Sequence, residues 1–324
     1  MNVLVTGATG FVGGHLVDRL LERGDVVTAL VRSPQRAASL AARGVRLVAG
    51  DLGATDAIGD AVRGQQVVYH VGAMLGARTE AELMRANRDG TLHVARACAA
   101  EGSPPRLVFI SSMAAGGPAA RGTPKSADGD DHPVTRYGRS KLAAERLLPS
   151  MQLPWTALRP PVVYGPRNKE GLLPLFKAVR HGLAPMFGDG SMEISLIHVA
   201  DLVDAVVLAG TSPEVLGEVF YVNHPEITTG AEMMRSMARA LNRSVFPIQI
   251  PQWAARGALT VTGLWADVFR QTTILHPDKL HEFFQEAWTG DPAPFMAATG
   301  WRPRWDLEHG IAETAAWYQA EGWI

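Results

Sequence analysis

The sequence predicts an α/β fold: a doubly wound parallel sheet with a smaller, mostly C-terminal second domain. Three observations predict it. A glycine cluster separates a short apolar run from an amphipathic pattern at the N-terminus, strand-like and helical patterns then alternate to residue 165, and beyond it the pattern breaks into shorter pieces. Such alternation marks parallel strands joined by crossover helices, and a sheet covered on both faces explains runs that are apolar throughout.

In chain order, Val3 to Val5 reads as a buried strand, and Phe11, Val12, Leu16, Val17, Leu20 and Leu21 then recur at helical spacing. Gly7, Gly10 and Gly13 occupy the turn between them at offsets of three. Glycine there permits a tight turn and close backbone approach to a dinucleotide pyrophosphate held on the helix start. Further strands are VVTALV at 26–31, RLVAG at 46–50, QVVYHVGA at 66–73, RLVFISS at 106–112 and WTALRPPVVYG at 155–165, the last read as one run. Helices start near Gly13, Pro34, Thr55, Thr79 and Thr135. The segment 116–133, rich in Gly, Pro and Asp, predicts a loop long enough to cover a substrate.

EVFYVN at 218–223 is strand-like again, so residues 1–165, with 197–223 returning, form the expected dinucleotide-binding domain. Residues 166–196 and 224–324 form the expected substrate-binding domain. Trp253, Trp265, Trp288, Trp301, Trp305, Trp317 and Trp323 all fall in the latter. Packing of that domain is the leading expectation for them, with closure of an apolar cavity by 251–269 as the alternative.

Composition removes several classes of function. With 47% hydrophobic and 19% charged residues in 324, the chain can bury a large core and is not disordered. A net charge of -1 leaves no basic surplus for a nucleic-acid partner. No apolar run reaches the roughly 18 residues of a membrane span, and the start lacks a basic leader, which predicts a cytoplasmic protein. Cys98 is the single cysteine, excludes an internal disulfide, and lies in an apolar helical stretch that suits a small buried hydrophobe. Gly117 to Gly122 lacks the Gly-Lys of a phosphate loop, His281 to Gln285 lacks the second histidine of a zinc helix, and the histidines are scattered, so no metal site is expected.

The chemistry concentrates in RYGRSKLAAERLL, 136–148. Tyr137 and Lys141 are four apart and share one helix face. A free tyrosine titrates near pH 10, but a neighbouring ammonium lowers that value and makes the phenol a usable acid or base. Ser111 and Ser112 close a strand at the carboxyl edge of the sheet, where a hydroxyl can hold a carbonyl oxygen beside Tyr137.

Taken together, TGATGFVG at 6–13, GDL at 50–52, VYHVGA at 68–73, NRDGT at 87–91, ISS at 110–112, YGRSK at 137–141, LRPPVVYGP at 158–166 and IHVADLVDA at 197–205 closely resemble the extended short-chain dehydrogenase/reductases. The resemblance covers essentially the whole chain and implies a Rossmann-type domain. It implies catalysis by Ser112, Tyr137 and Lys141, with Lys141 also reaching the nicotinamide ribose. Cofactor contacts are implied for Gly7, Thr9, Gly10, Phe11 and Val12 at the pyrophosphate and for Asp51 and Leu52 at the adenine. Val71, Gly72 and Ala73 would follow the ribose and phosphates, and Pro160 to Val163 the nicotinamide. The implied reaction is hydride transfer at a carbinol or carbonyl carbon. Relatives dimerise through helices like those near 82–101 and 137–148, so a homodimer is expected by analogy.

Two departures refine this expectation. Val31 stands where NAD binders place an acidic residue, and Arg32, with Arg36, suits a 2′-phosphate, favouring NADP(H) over NAD(H). Val162 and Ile194 stand where nucleotide-sugar members carry asparagine and arginine, which points to an apolar hydroxy or keto substrate. The alternative is an NAD-dependent sugar-nucleotide epimerase or dehydratase.

Overall fold

The structure, a computed structural model, describes residues 1–169, 171–257 and 277–324. In chain order its strands are β1 (Asn2–Thr6), β2 (Val26–Val31), β3 (Arg46–Ala49), β4 (Val67–His70), β5 (Arg106–Ile110), β6 (Trp155–Arg159), β7 (Val162–Tyr164), β8 (Leu183–Phe187), β9 (Glu193–His198), β10 (Val219–Tyr221), β11 (Ile227–Thr229), β12 (Phe246–Ile250) and β13 (Ala287–Trp288). Seven of them form one sheet in the order β10-β6-β5-β4-β1-β2-β3, and every pairing within it is parallel. Successive strands step outward from β1 in one direction and from β4 in the other. The crevice between the carboxyl ends of β1 and β4 is therefore the switch point at which such sheets bind ligands.

Helices cover both faces. Phe11–Glu22 and Val199–Ala209 bury Leu16, Val17, Leu20, Leu202 and Val206 against one face, while Thr55–Val62, Gly90–Ala99 and Arg136–Glu145 bury Ile58, Val94 and Ala144 against the other. Thr79 and Thr135 serve as caps, accepting from Glu82 N and Gly138 N at 3.2 and 3.1 Å, which satisfies backbone donors that the first turn leaves open. The helix begun at Glu80 passes through a π-helical turn, Met84–Asp89, before continuing as Gly90–Ala99. A third core, with Phe176, Met237, Ile311 and Tyr318 at its centre, joins the helices Leu173–Arg180, Gly230–Ala240 and Leu307–Ala320 outside the main sheet.

The run 155–165 is not one strand. It is cut at Pro160-Pro161, where the chain loses two successive amide donors. β6 stays in the seven-stranded sheet, and β7 crosses to pair with β9 in a separate one. The predicted loop 116–133 is pinned down instead of standing over a site. Ala119 N donates to Ala287 O and Lys125 N to Thr289 O, both at 3.0 Å, and Asp131 makes a two-pronged ion pair with Arg159. Arg159 is only 1% exposed and also holds Glu145, so the loop, β6 and the helix Arg136–Glu145 meet at one buried guanidinium.

The tryptophans divide. Trp301 is buried, while Trp305, Trp317 and Trp323 are half-buried and packed against neighbouring rings. Trp253 is 79% exposed, so packing does not account for it. Trp265 and the rest of 258–269 lie outside the described residues. Cys98 is buried, and burial pushes its thiol up to about 12, as expected for an inert core residue. Among the described residues no helix is long and apolar enough to cross a membrane, and no cluster of side chains could hold a metal ion.

Candidate active site

The glycine turn after β1 is a packing device before it is anything else. Gly7 has φ +74, and a Cβ there would stand 2.7 Å from the backbone of Gly72 beyond β4. A Cβ on Gly13 would stand 2.0 Å from Gly7 O, so that glycine lets the helix close onto the turn. Gly10 does something different. It opens the helix Phe11–Glu22 with no capping side chain, and the first turn holds no acidic residue. The free N–H groups and positive dipole end of a twelve-residue helix thus face the crevice, a cradle that fits the pyrophosphate of a dinucleotide. Thr9 and Gly10 are exposed there, with Phe11 and Val12 half-buried beside them.

The other implied cofactor residues stand along the same carboxyl edge. Val71, Gly72 and Ala73 leave β4 beside Gly7 and grow more exposed along the loop. Asp51 is exposed and accepts from Gly53 N at 2.8 Å, while Leu52 packs against Gly90. Val31 is buried at the end of β2, and Arg32 and Arg36 are exposed just beyond it. Pro160 is buried, its carbonyl accepting from Met113 N at 2.8 Å next to Ser112, and Val163 is half-buried. Val162 is 45% exposed, whereas Ile194 is buried in β9.

Ser112 and Tyr137 come within reach of each other, and Lys141, one helical turn from Tyr137, is anchored on the strand that ends before Ser112. Ser112 caps the short helix Met113–Gly116, accepting from Ala114 N at 3.2 Å, and its hydroxyl is within hydrogen-bonding reach of Tyr137. Ser111 is buried. Lys141 is 1% exposed, donates from Nζ to Ile110 O at 2.7 Å and lies 4.1 Å above the Phe109 ring.

The electrostatics differ from the expectation of a lowered tyrosine. Burial pushes the Tyr137 phenol up to about 12, opposed by the Ser112 hydrogen bond and reinforced by the Glu282 carboxylate. Burial likewise pushes the Lys141 ammonium down to about 7, against the pull of Glu145. Desolvation of two groups packed into the sheet edge is the largest cause of both shifts.

Tyr137 lines a small, open cleft. Leu75, Ala77 and Leu83 form an apolar wall, while Arg136, Asp278, Lys279 and Glu282 form a charged one. Lys279 and Glu282 are ion-paired, and Arg136 N donates to Asp278 Oδ2 at 2.7 Å. The cleft is therefore amphipathic and not apolar throughout. Its charged wall escaped the sequence reading, in which 281–285 figured only as an incomplete zinc motif. No local pattern marks a segment that folding brings in from more than a hundred residues away.

Asn87 and Ser140 carried motif resemblance but no assigned role. Both are buried. Asn87 exchanges two hydrogen bonds with the backbone of Met74, at 2.8 and 3.0 Å, and so fixes the apolar wall that follows. It also donates to Ser140 Oγ at 2.9 Å, which in turn donates to Tyr137 O at 2.8 Å.

A dinucleotide cradle at a parallel-sheet switch point, with a hydroxyl, a phenol and an amine gathered at the same edge, describes a nicotinamide-dependent oxidoreductase. Residues 3–222 match the NAD dependent epimerase/dehydratase family, and the chain belongs to it. Its relatives are extended short-chain reductases and epimerases. A ceramide reductase of Caulobacter vibrioides is 30% identical over 99% of this chain and 96% of that one. A UDP-glucose 4-epimerase of Vibrio cholerae is 28% identical over 97% and 94%. The solved UDP-glucose 4-epimerase of Thermus thermophilus, in complex with NAD, superimposes with a TM-score of 0.76 at 25% identity, covering 98% of this chain and 99% of that one.

Proposed function

We propose that the protein is an NADP(H)-dependent ketoreductase or alcohol dehydrogenase acting on a largely apolar hydroxy or keto compound. The observation that carries this reading is Tyr137, in reach of Ser112 and open to a cleft with an apolar wall. A bound nicotinamide supplies hydride to the carbonyl carbon in reduction and accepts it in oxidation. In reduction Tyr137 gives its proton to the substrate oxygen, and a phenol held near 12 is fully protonated for that task at neutral pH. The Ser112 hydroxyl donates to the same oxygen as charge develops on it. Lys141, one helical turn from Tyr137, steadies the phenolate left behind.

Exposed Arg32 and Arg36 beyond a buried Val31 support NADP(H) over NAD(H), because no carboxylate stands there to repel a 2′-phosphate. The similarity to a ceramide reductase, together with Val162 and Ile194 in place of polar residues, supports an apolar substrate. We read residues 1–165 with 197–223 as the cofactor unit, since β10 lies in the main sheet, and 166–196 with 224–324 as the substrate unit. The buried Cys98 suits a cytoplasmic setting. A homodimer through the helices near 82–101 and 137–148 completes the reading, and a monomeric mass in solution scattering would refute it.

Calorimetric titration with NADPH and NADH, followed by a ketone panel, tests the assignment. NADPH should bind more tightly and exchange freely. Tyr137→Phe should lower kcat by roughly a hundred- to ten-thousandfold with the cofactor Kd unchanged, and retained turnover would sink the mechanism. One feature favours a second reading: the charged wall of Arg136, Lys279 and Glu282 suits a polar substrate such as a sugar nucleotide. In that case the purified protein would retain NAD tightly and turn over no simple ketone.

A further inference from the structure

We infer that His70 is a positioning residue: held as its Nε2–H tautomer, it completes a one-way chain of hydrogen bonds that locks the cofactor turn and the catalytic helix in a single register. The inference rests on the proposed reading of Gly7 and Gly72 as part of the cofactor cradle.

The direction of the chain follows from its hydroxyls, each of which has a single proton to give. Thr91 Oγ1 donates to Asn87 O at 2.6 Å. Its proton is committed, so across the 3.0 Å contact with His70 Nε2 it can only accept. That nitrogen therefore carries the ring proton, and in a neutral imidazole Nδ1 is then the acceptor. Thr6 Oγ1, 2.7 Å from Nδ1, gives its proton there and itself accepts from Gly72 N at 3.2 Å. Beyond Asn87 the order persists through Ser140 Oγ to Tyr137 O. Gly72 and Tyr137 are thus joined through the buried side chains of Thr6, His70, Thr91 and Ser140 and through Asn87, which accepts at its backbone carbonyl and donates from its side-chain amide.

The opposite tautomer breaks this order. An Nδ1–H would turn Thr6 into an acceptor only, stranding its proton, and Nε2 would compete with Asn87 O for the single proton of Thr91. A charged ring fails in the same way, with a donor at both ends. His70 is 1% exposed and stacked on Phe109, whose ring also carries Lys141. Burial, with the Lys141 charge adding to it, holds the imidazole far below its ordinary range, down to about 3. The ring is consequently neutral at any pH at which Tyr137 and Lys141 work, and the chain keeps one direction.

The test uses the full-length protein labelled with 15N-histidine. Long-range 1H–15N correlation spectra from pH 5 to 8, assigned by the signal lost in His70→Gln, should show Nε2 protonated, Nδ1 bare and no titration. An Nδ1–H ring, or a ring that titrates in that range, overturns the inference. For the positioning role, His70→Phe keeps a flat ring but removes both bonds, while His70→Gln keeps a donor toward Thr91. Thr156→Val serves as a structural control, because it removes a buried bond to Val215 O remote from the chain.

Per folded molecule, His70→Phe should weaken NADPH binding and lower kcat, each by up to about a hundredfold, with partial rescue in His70→Gln. Thr156→Val should lower Tm alone. A His70→Phe protein with wild-type Kd and kcat overturns the positioning role. Should it fail to fold, the spectra of the native protein still decide the tautomer, and His70→Gln decides the kinetics. A wild-type protein that binds neither NADPH nor NADH would defeat the functional reading instead, and would do so without altering the spectra.

Discussion

At the scale of single residues, Lys141 couples catalysis to stability. Its amine is held near 7 in the folded chain against an ordinary value of 10.5, so between those values the unfolded chain binds the extra proton. The sign follows: folding is penalised by this group in full below about 7, and the penalty is relieved progressively as pH rises from there to 10.5. Urea unfolding at pH 6.5 and 9.5 should show wild-type stability rising relative to Lys141→Met across that interval. A constant difference would show that the amine is not buried as a neutral group. The residues themselves were legible because each has a fixed chemical meaning and a fixed spacing. Their ionisation was not, since it depends on Phe109, Ile110, Glu145 and Glu282, which are neighbours only after folding.

At the scale of elements, the turn after β1 was legible because its cause is local. Glycines at offsets of three between a strand and a helix have few other uses. The structure adds which glycine does which task, and the tasks respond differently to a methyl group. Gly13→Ala must push a Cβ into Gly7 O, so it should cost about 1–3 kcal/mol of stability and weaken cofactor binding with it. Thermal melts and calorimetry on the same sample check both effects, and an unchanged melt would mean that the turn relaxes freely. The division of 155–165 was not legible, because an extended run looks alike on either side of a sheet boundary. Only the pairing partners, β5 for one half and β9 for the other, tell the halves apart.

At the scale of the whole molecule, the reacting groups and part of the charged cleft wall have different origins. Ser112, Tyr137 and Lys141 stand on the main sheet and its helices, whereas Lys279 and Glu282 arrive from the far end of the chain. Variants at the latter should therefore change substrate preference with little effect on the cofactor. Lys279→Ala and Glu282→Gln are expected to shift KM across a panel of ketones differing in the polarity of the group beside the carbonyl, while the NADPH Kd stays at its wild-type value. Equal KM changes for all members would remove these residues from recognition.

The break at Pro160-Pro161 gives this division a practical form. Ser112, Tyr137 and Lys141 lie before it, and so does the apolar wall of the cleft, while Asp278, Lys279 and Glu282 of the charged wall come after it. A lineage could therefore retune the charged wall from the far end of the chain while leaving Ser112, Tyr137 and Lys141 in place. Exchanging only the stretch that carries Asp278, Lys279 and Glu282 for a relative's should alter which substrates are taken while the sheet, its β10 edge and the reacting groups stay as they are.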